Sequence, residues 1–131
     1  MKNGRALSST QWKALIILGA EQWNHYRVEH RDESPDLSNK DLSTENMAGF
    51  NLAGANLENS NLAMADLSSA DLSRARLTNA NLSRADLSGA ILAAANLEGA
   101  NLYSAYLIGA DLTDARIENA NLFAARRAKE G

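Results

Sequence analysis

The side chains that most often perform catalysis are few in this chain of 131 residues. There is no Cys, and the two His, His25 and His30, are five residues apart, a spacing that puts them on different faces of a helix. A Ser hydroxyl needs a neighbouring base to act as a nucleophile, and no His follows His30. Without a thiolate or a His pair at ligand spacing, a bound metal is not expected. The sequence therefore predicts no enzyme, no metal site and no cofactor.

Carboxylates are the remaining groups that could do chemistry. Asp66 and Asp86 are twenty residues apart, and Asp71 and Asp111 are forty apart, so a repeating fold would stack each pair on one side. Paired carboxylates serve glycoside hydrolysis when a cleft lies between them. The same position of a five-residue repeat is commonly Asp or Asn, however, and both residue types cap turns with their side-chain oxygens. We therefore expect turn acceptors on flat outer sides and not an acid–base pair.

The five-residue repeat begins at Asp36 and organises most of the chain. Eighteen large apolar positions, here called centres, run from Leu37 to Leu122, and they are sixteen Leu, one Met and one Ile. From Ala55 to Ala125, the position two before a centre is Ala fourteen times and Ser once. On an α-helix a period of five advances the centres by about 140° per repeat, and on a strand it alternates their faces. Both columns can point inward only if the chain turns a corner in every repeat.

The corner and the number of sides also have sequence signals. The position two after the centre is Gly, Asn or Asp in ten of eighteen repeats, and these residues tolerate a positive φ. Similar pentads recur at a spacing of twenty residues, which predicts four sides per coil. Stacked amides in β-structures bond to the copies above and below. Two amide ladders are therefore expected, the first from Asn61, Asn81, Asn101 and Asn121, and the second from Asn39, Asn59, Asn79 and Asn119 with an interruption at Gly99.

The pentads Ala65-Asp66-Leu67-Ser68-Ser69 and Ala85-Asp86-Leu87-Ser88-Gly89 resemble the A(D/N)LXX motif of the pentapeptide-repeat family. The resemblance implies an all-β solenoid, a right-handed quadrilateral β-helix with the centre Leu and the preceding Ala inside. Residues 36–125 would form about four and a half coils at twenty residues per coil. Residues 1–35 would be an N-terminal helix cap and linker, and residues 126–131 a short basic tail.

Residues 9–30 are predicted to form the α-helical cap on the first coil. Ser8 and Gln11 have the spacing of a capping box, and Pro35 prevents the helix from continuing. Apolar residues recur at helical spacing on one face, and Phe50 can fill space beneath them. The segment from Leu18 to Arg27 is similar to leaders of bacterial, often cyanobacterial, pentapeptide proteins. The predicted cap residues are Trp12, Leu15, Ile16, Trp23, Tyr26 and Phe50.

Large apolar residues on the outside of the repeats are concentrated in the last third of the chain. Between Asp36 and Ala90 the outward positions hold only one, Met64. Localised apolar patches mark contact sites more often than scattered residues do. The expected partner-contact residues are Ile91, Tyr103, Tyr106, Ile108 and Phe123.

Function is therefore predicted mainly by exclusion. The longest apolar run, Ala14 to Ala20, is too short to span a membrane, and no convincing signal-peptide cleavage site appears, so we expect a cytoplasmic protein. No face is basic enough for direct nucleic-acid binding.

We expect a non-enzymatic scaffold for an unidentified protein partner, with self-association through the C-terminal end left open. The alternative comes from the resemblance: some family members mimic duplex DNA and bind a type II topoisomerase (gyrase). The five Lys or Arg against eleven Asp or Glu in residues 36–125 give it slight support.

Overall fold

A computed structural model describes residues 7–127, beginning with two short helices, α1 (Ser9–Leu18) and α2 (Ala20–Glu29). Most of the predicted tail, residues 128–131, lies outside the described residues. The capping box is present: the Gln11 N–H donates to Ser8 Oγ at 3.2 Å, and the Ser8 N–H donates to Gln11 Oε1 at 2.7 Å. The predicted helical stretch is divided at Gly19, whose φ of 102° is a conformation that other residues avoid. The cap is therefore a pair of helices and not one.

From Asp36 to Arg126 the chain winds in coils of twenty residues. Single-residue parallel bridges join positions twenty apart on each of four sides, for example Asn56 with Arg76 and Asn61 with Asn81. A side contributes only one bridged residue before the next turn, so the β-structure consists of short bridges and no long strands. The repeats of five and twenty in the sequence thus correspond to the sides and the coils.

Each pentad that lies between two other coils donates three backbone hydrogen bonds to them. The N–H of the centre Leu57 donates to the carbonyl of Arg76 at 2.7 Å, and the N–H of Asn59 donates to that of Thr78 at 3.0 Å. In the other direction, the Arg76 N–H donates to the carbonyl of Ala55 at 2.9 Å. Because the same three bonds recur around the coil, the register between coils is fixed at twenty residues.

Each corner is a turn with a left-handed residue two positions after the centre. This residue has a φ between 56° and 75° in all eighteen pentads. The sequence pattern of Gly, Asn and Asp marked ten of them, yet Thr44, Met64 and Arg74 adopt the same conformation. A left-handed conformation costs such residues roughly 1–2 kcal/mol. The coil register therefore imposes the corner even where the local sequence does not favour it.

One of the two predicted amide ladders is formed in part, and the other is not formed. The Asn81 amide donates to Asn61 Oδ1 at 3.3 Å, and Asn121 donates to Asn101 in the same way, but in the described coils no side-chain hydrogen bond joins Asn81 and Asn101. Among the described residues no side-chain hydrogen bond joins the members of the second set, such as Asn59 and Asn79. These residues occupy the left-handed corner position, so their contribution is to the turn conformation.

The interior is closed at its N-terminal end and open at the last coil that the structure describes. The centres from Leu37 to Leu107 are buried, together with the small residues between Ala55 and Ala105. Leu112 and Leu122 are only partly buried, and Ile117 is 42% exposed.

Aromatic packing closes the N-terminal end. Trp12 and Trp23 are buried with ring centroids 5.2 Å apart, and Trp23 stacks on Phe50 at 5.2 Å. Tyr26 meets the edge of Trp12 at 5.4 Å. Of the other predicted cap residues, Ile16 is buried, and Leu15 is partly buried against the core. The structure thus places all six residues at the base of the cap.

Hydrogen bonds from α2 satisfy backbone groups at the edge of the first coil. Trp23 Nε1 donates to the carbonyl of Asn51 at 2.7 Å, and the buried Arg27 donates to the carbonyls of Asn51 and Ala53 at 3.1 and 2.6 Å. Asn24 Oδ1 accepts the Asn51 N–H at 2.7 Å. Burial lowers the pKa of Arg27, although the charges of Asp71 and Glu33 oppose this. Asn24 and Arg27 could not be identified from the sequence, because the first-coil backbone atoms that they bind are more than twenty residues away.

The strained corner at Thr44 gives a first prediction. Replacing Thr44 by Gly should leave stability unchanged or raise it by up to about 1 kcal/mol, because the relieved strain exceeds the entropy that Gly adds to the unfolded chain. The matched control is Thr78→Gly, at a turn position without a positive φ, which should lose about 0.5–1 kcal/mol. Urea unfolding measures both. Equal losses at the two positions would contradict the assigned strain.

The hydrogen bond between Tyr26 and Glu33 gives a second prediction, on alkaline stability. Tyr26 OH donates to Glu33 Oε2 at 2.7 Å, and burial together with this bond raises the pKa of Tyr26 to about 12. Because the folded-state pKa lies above the unfolded value of about 10, the stabilisation is complete below pH 10 and is lost as the pH rises toward 12. Free energies of unfolding between pH 8 and 12 should fall less steeply for Tyr26→Phe than for the wild type. Tyr103→Phe, which leaves the Tyr26–Glu33 bond intact, should keep the wild-type slope, and a common slope for all three proteins would refute the assignment.

Candidate protein-interaction surface

The residue before the centre usually accepts a hydrogen bond from the turn that follows. In fourteen of eighteen pentads it is Asp or Asn, and its side-chain oxygen accepts the N–H of the residue after the centre. Asp66, for example, accepts from the Ser68 N–H at 3.0 Å and from its hydroxyl at 2.6 Å. Hydrogen bonds of the same kind, from Ser43 and Thr113, hold the pKa values of Asp41 and Asp111 below the usual range. These carboxylates therefore act as turn acceptors.

Four pentads lack this acceptor, and they are of two kinds. Arg76 and Arg116 form ion pairs at 3.0 Å with Glu58 and Glu98 of the coil below, on a solvated side. The other two pentads have the apolar Ile91 and the aromatic Tyr106 at this position. Their side chains cannot accept a hydrogen bond from the following turn. They are also 42% and 38% exposed, so the apolar surface that they bury does not fully account for an apolar or aromatic residue at this position.

The aromatic residues near the C-terminal end are arranged around one corner of the solenoid. Tyr103 and Phe123 occupy equivalent positions in successive coils, with nearly parallel rings 6.1 Å apart. Tyr106 follows around the corner, and Ile108 lies on its side of the coil. We call these four residues the aromatic corner. Ile91 belongs to the next side, one coil lower, so the structure brings four of the five predicted contact residues together and leaves Ile91 at a distance along the surface.

Two arginines lie against the aromatic corner. The Arg84 guanidinium is 5.4 Å from the ring centroid of Tyr103, and that of Arg126 is 5.3 Å from the ring of Tyr106. Such cation–π contacts hold both partners in place on the surface. Phe123 is 74% exposed and is the most accessible aromatic ring of the corner. The result is an apolar surface with a basic edge in a chain whose net charge is −3.

The two His, which are the remaining side chains that could bind a metal or take part in catalysis, lie on the cap. His25 pairs with Glu29 at 3.4 Å, and His30 stacks on the ring of Tyr26 at 3.9 Å. Within residues 7–127, no cluster of three or more His, Asp or Glu side chains has the arrangement of a metal site. Neither α1 nor α2 is long and apolar enough to cross a membrane, and the described part of the chain has no other helix.

Comparisons with known proteins agree on the repeat. The family model for pentapeptide repeats matches residues 51–89 and 90–126, with eight copies. HetL, a pentapeptide repeat protein involved in heterocyst differentiation regulation in the cyanobacterium Nostoc sp. strain PCC 7120, is 41% identical with a TM-score of 0.64. A pentapeptide repeat protein from the thylakoid lumen of Arabidopsis thaliana is 34% identical with a TM-score of 0.68. No curated protein matches the chain.

Each of the two matches covers only part of this chain and part of the matched protein. The match to HetL covers 65% of this chain and 39% of HetL, and the match to the Arabidopsis protein covers 71% of this chain and 65% of that protein. The similarity therefore bears on the repeat architecture, and the cellular roles of these longer proteins do not transfer with it.

The missing acceptor at Ile91 gives a third prediction. Ile91→Ala and Ile91→Asn both remove the apolar side chain, but only Asn can accept the Ala93 N–H, so the Asn variant should be more stable by about 1 kcal/mol. Asn96→Ala, which removes an existing acceptor of the Glu98 N–H, should lose a similar amount. Thermal and urea unfolding of the three variants provide the comparison. If Ile91→Ala and Ile91→Asn are equally stable, the acceptor has no energetic importance at this position.

Proposed function

The chain belongs to the pentapeptide-repeat family, and from this premise we propose that it is a non-enzymatic scaffold whose aromatic corner binds another protein. In this proposal the repeats form the right-handed quadrilateral β-helix of the family, in about four and a half coils, which gives rigid flat sides. The partner contacts are Tyr103, Tyr106, Ile108 and Phe123, with Ile91 extending the surface.

One observation carries the proposal: the loss of a turn acceptor at Ile91 and Tyr106. A side-chain acceptor at the position before the centre contributes roughly 0.5–1.5 kcal/mol, and fourteen pentads keep it. Positions where a sequence departs from a stabilising local rule are often functional sites. Here both departures place large apolar side chains at the surface, and Tyr106 lies in the aromatic corner.

The composition of the corner suits protein recognition. Tyr, Trp and Arg dominate the residues that contribute most to protein–protein binding, and Tyr103, Tyr106 and Phe123 offer rigid rings beside Arg84 and Arg126. The two cation–π contacts reduce the side-chain entropy that remains to be lost on binding. The non-enzymatic part of the proposal is supported by the use of the repeat carboxylates as turn acceptors.

No specific observation favours the alternative of a DNA mimic that binds gyrase. A mimic needs an extended acidic surface, and Arg74, Arg84 and other basic residues are interspersed among the acidic residues of the repeats. The glutamates Glu58 and Glu98 alternate with Arg76 and Arg116 along one side. The cytoplasmic location remains a prediction from the sequence.

A fourth prediction tests the scaffold directly. A triple variant with Tyr103, Tyr106 and Phe123 changed to Ser should keep the wild-type fold, because all three side chains point away from the buried centres, and should lose the partner in a pull-down from a lysate of the source organism. Val28→Ser is the matched control, since Val28 is exposed on α2, away from the corner. Recovery of the same partner by the triple variant and the wild type would refute the assigned surface.

A further inference from the structure

The upper edge of the last described coil presents mainly hydrogen-bond donors. In each pentad the N–H groups of the centre and of the left-handed residue point toward the next coil, and only one carbonyl, that of the small residue, can accept from it. In the last coil, no acceptor within residues 7–127 bonds the N–H groups of Asp114, Ile117, Asn119, Leu122 and Ala124. We call this surface the donor edge. A cavity of about 170 Å³ opens beside it, lined among others by Leu112, Ile117 and Leu122.

The lower edge of a coil has the complementary pattern. Each pentad presents two carbonyls, from the residues before and after the centre, and a single N–H, from the residue before the centre. A donor edge therefore pairs fully with the lower edge of another coil. Two donor edges that meet tail to tail place N–H groups opposite N–H groups, and most of them stay unpaired, which is costly once the surfaces are buried.

The cap reproduces the donor edge on one side of the first coil. Trp23 and Arg27 donate to the carbonyls of Asn51 and Ala53, and Asn24 accepts the Asn51 N–H. These are the two donors and one acceptor that a preceding coil would supply. The cap also seals the interior, because the centres of the first coil, Leu37, Leu42, Met47 and Leu52, are fully buried.

We propose that the donor edge is a docking surface for the first coil of a second copy of this chain, and that the α1–α2 cap prevents this contact by occupying the complementary edge. The contact is heterologous, so it does not close after two copies and produces filaments. Head-to-tail stacking of copies would continue the twenty-residue register and bury Ile117 against the next interior. The inference goes beyond the proposed function and does not rest on the identity of any partner.

The register makes the proposal testable by cross-linking. Asp41 and Asn121 belong to the same side of the coil, since bridges connect residue 41 to 61, 61 to 81, 81 to 101 and 101 to 121. In a head-to-tail stack, residue 41 of one copy lies directly above residue 121 of another, at the coil spacing of about 4.8 Å. This spacing lies within the Cα–Cα range of a disulfide. The chain has no Cys of its own, so every disulfide joins engineered positions, and the single variants Asp41→Cys and Asn121→Cys show whether like ends also meet.

The experiment compares Asp41→Cys/Asn121→Cys in the full chain with and without a weakened cap, Asn24→Ala/Arg27→Ala, under mild oxidation. With the intact cap we expect monomers on a non-reducing gel. With the weakened cap we expect at least about tenfold more disulfide-linked multimers, in a ladder beyond the dimer, because the cap has lost hydrogen bonds to the edge that it occupies. Adding Ile117→Lys, which places a charge in the contact, should abolish the ladder.

Each other outcome contradicts the proposal. An equal ladder with the intact cap means that the cap does not block stacking, and folded monomers with the weakened cap mean that the donor edge does not dock a first coil. Dimers from Asn121→Cys alone indicate tail-to-tail contact instead. Circular dichroism checks the fold of each variant. If Asn24→Ala/Arg27→Ala unfolds, the weakened cap is made instead with Trp23→Phe and Asn24→Ala, which keep the aromatic packing. The same non-reducing gel then tests the proposal.

Discussion

Three backbone hydrogen bonds per pentad, made at a fixed offset of about twenty residues, are the constraint on which the rest of the structure depends. They force a corner in every repeat, and so Thr44, Met64 and Arg74 adopt a left-handed φ that their side chains disfavour. They stack the centres into one apolar column and set the spacing of side chains on the outer sides. They also give the coil a polarity, with donors at one end and acceptors at the other. The cap and the aromatic corner are built on this frame.

The periodic part of the architecture could be predicted from the sequence, because a period of five with a second period of twenty allows few other arrangements. The non-periodic part could not. The division of the cap at Gly19 depends on one backbone conformation, and Asn24 and Arg27 act on backbone atoms of residues 49–53, for which the sequence carries no pattern. The prediction of the second amide ladder was wrong for a related reason. Sequence spacing aligned Asn59 with Asn79, but both residues form the left-handed corner of a turn, and their side chains do not bond to each other.

The candidate surface was predicted from the clustering of apolar residues, and the structure adds a reason to assign it a function. Tyr106 replaces a turn acceptor that most pentads keep, and it does so beside Tyr103 and Phe123. The arginines against these rings, Arg84 and Arg126, lie one coil below and one coil above their rings. The twenty-residue period brings these positions close together, but the contact of each guanidinium with its ring depends on side-chain conformations that spacing does not give. A turn acceptor is thus absent at the surface where the aromatic rings are presented, and the opposite end of the solenoid carries the cap.

The central claim is a stack of hydrogen-bonded coils that is sealed at the first coil and open at the last coil that the structure describes. Residue-resolved amide hydrogen exchange on the monomer tests it most directly. Asn79 and Gly99 occupy the same position in successive coils and donate to carbonyls at 2.9 and 3.0 Å, whereas Asn119, one coil further, has no backbone acceptor among the described residues. The account predicts slow exchange at Asn79 and Gly99 and rapid exchange at Asn119. Protection of Asn119 equal to that of Asn79 would contradict it.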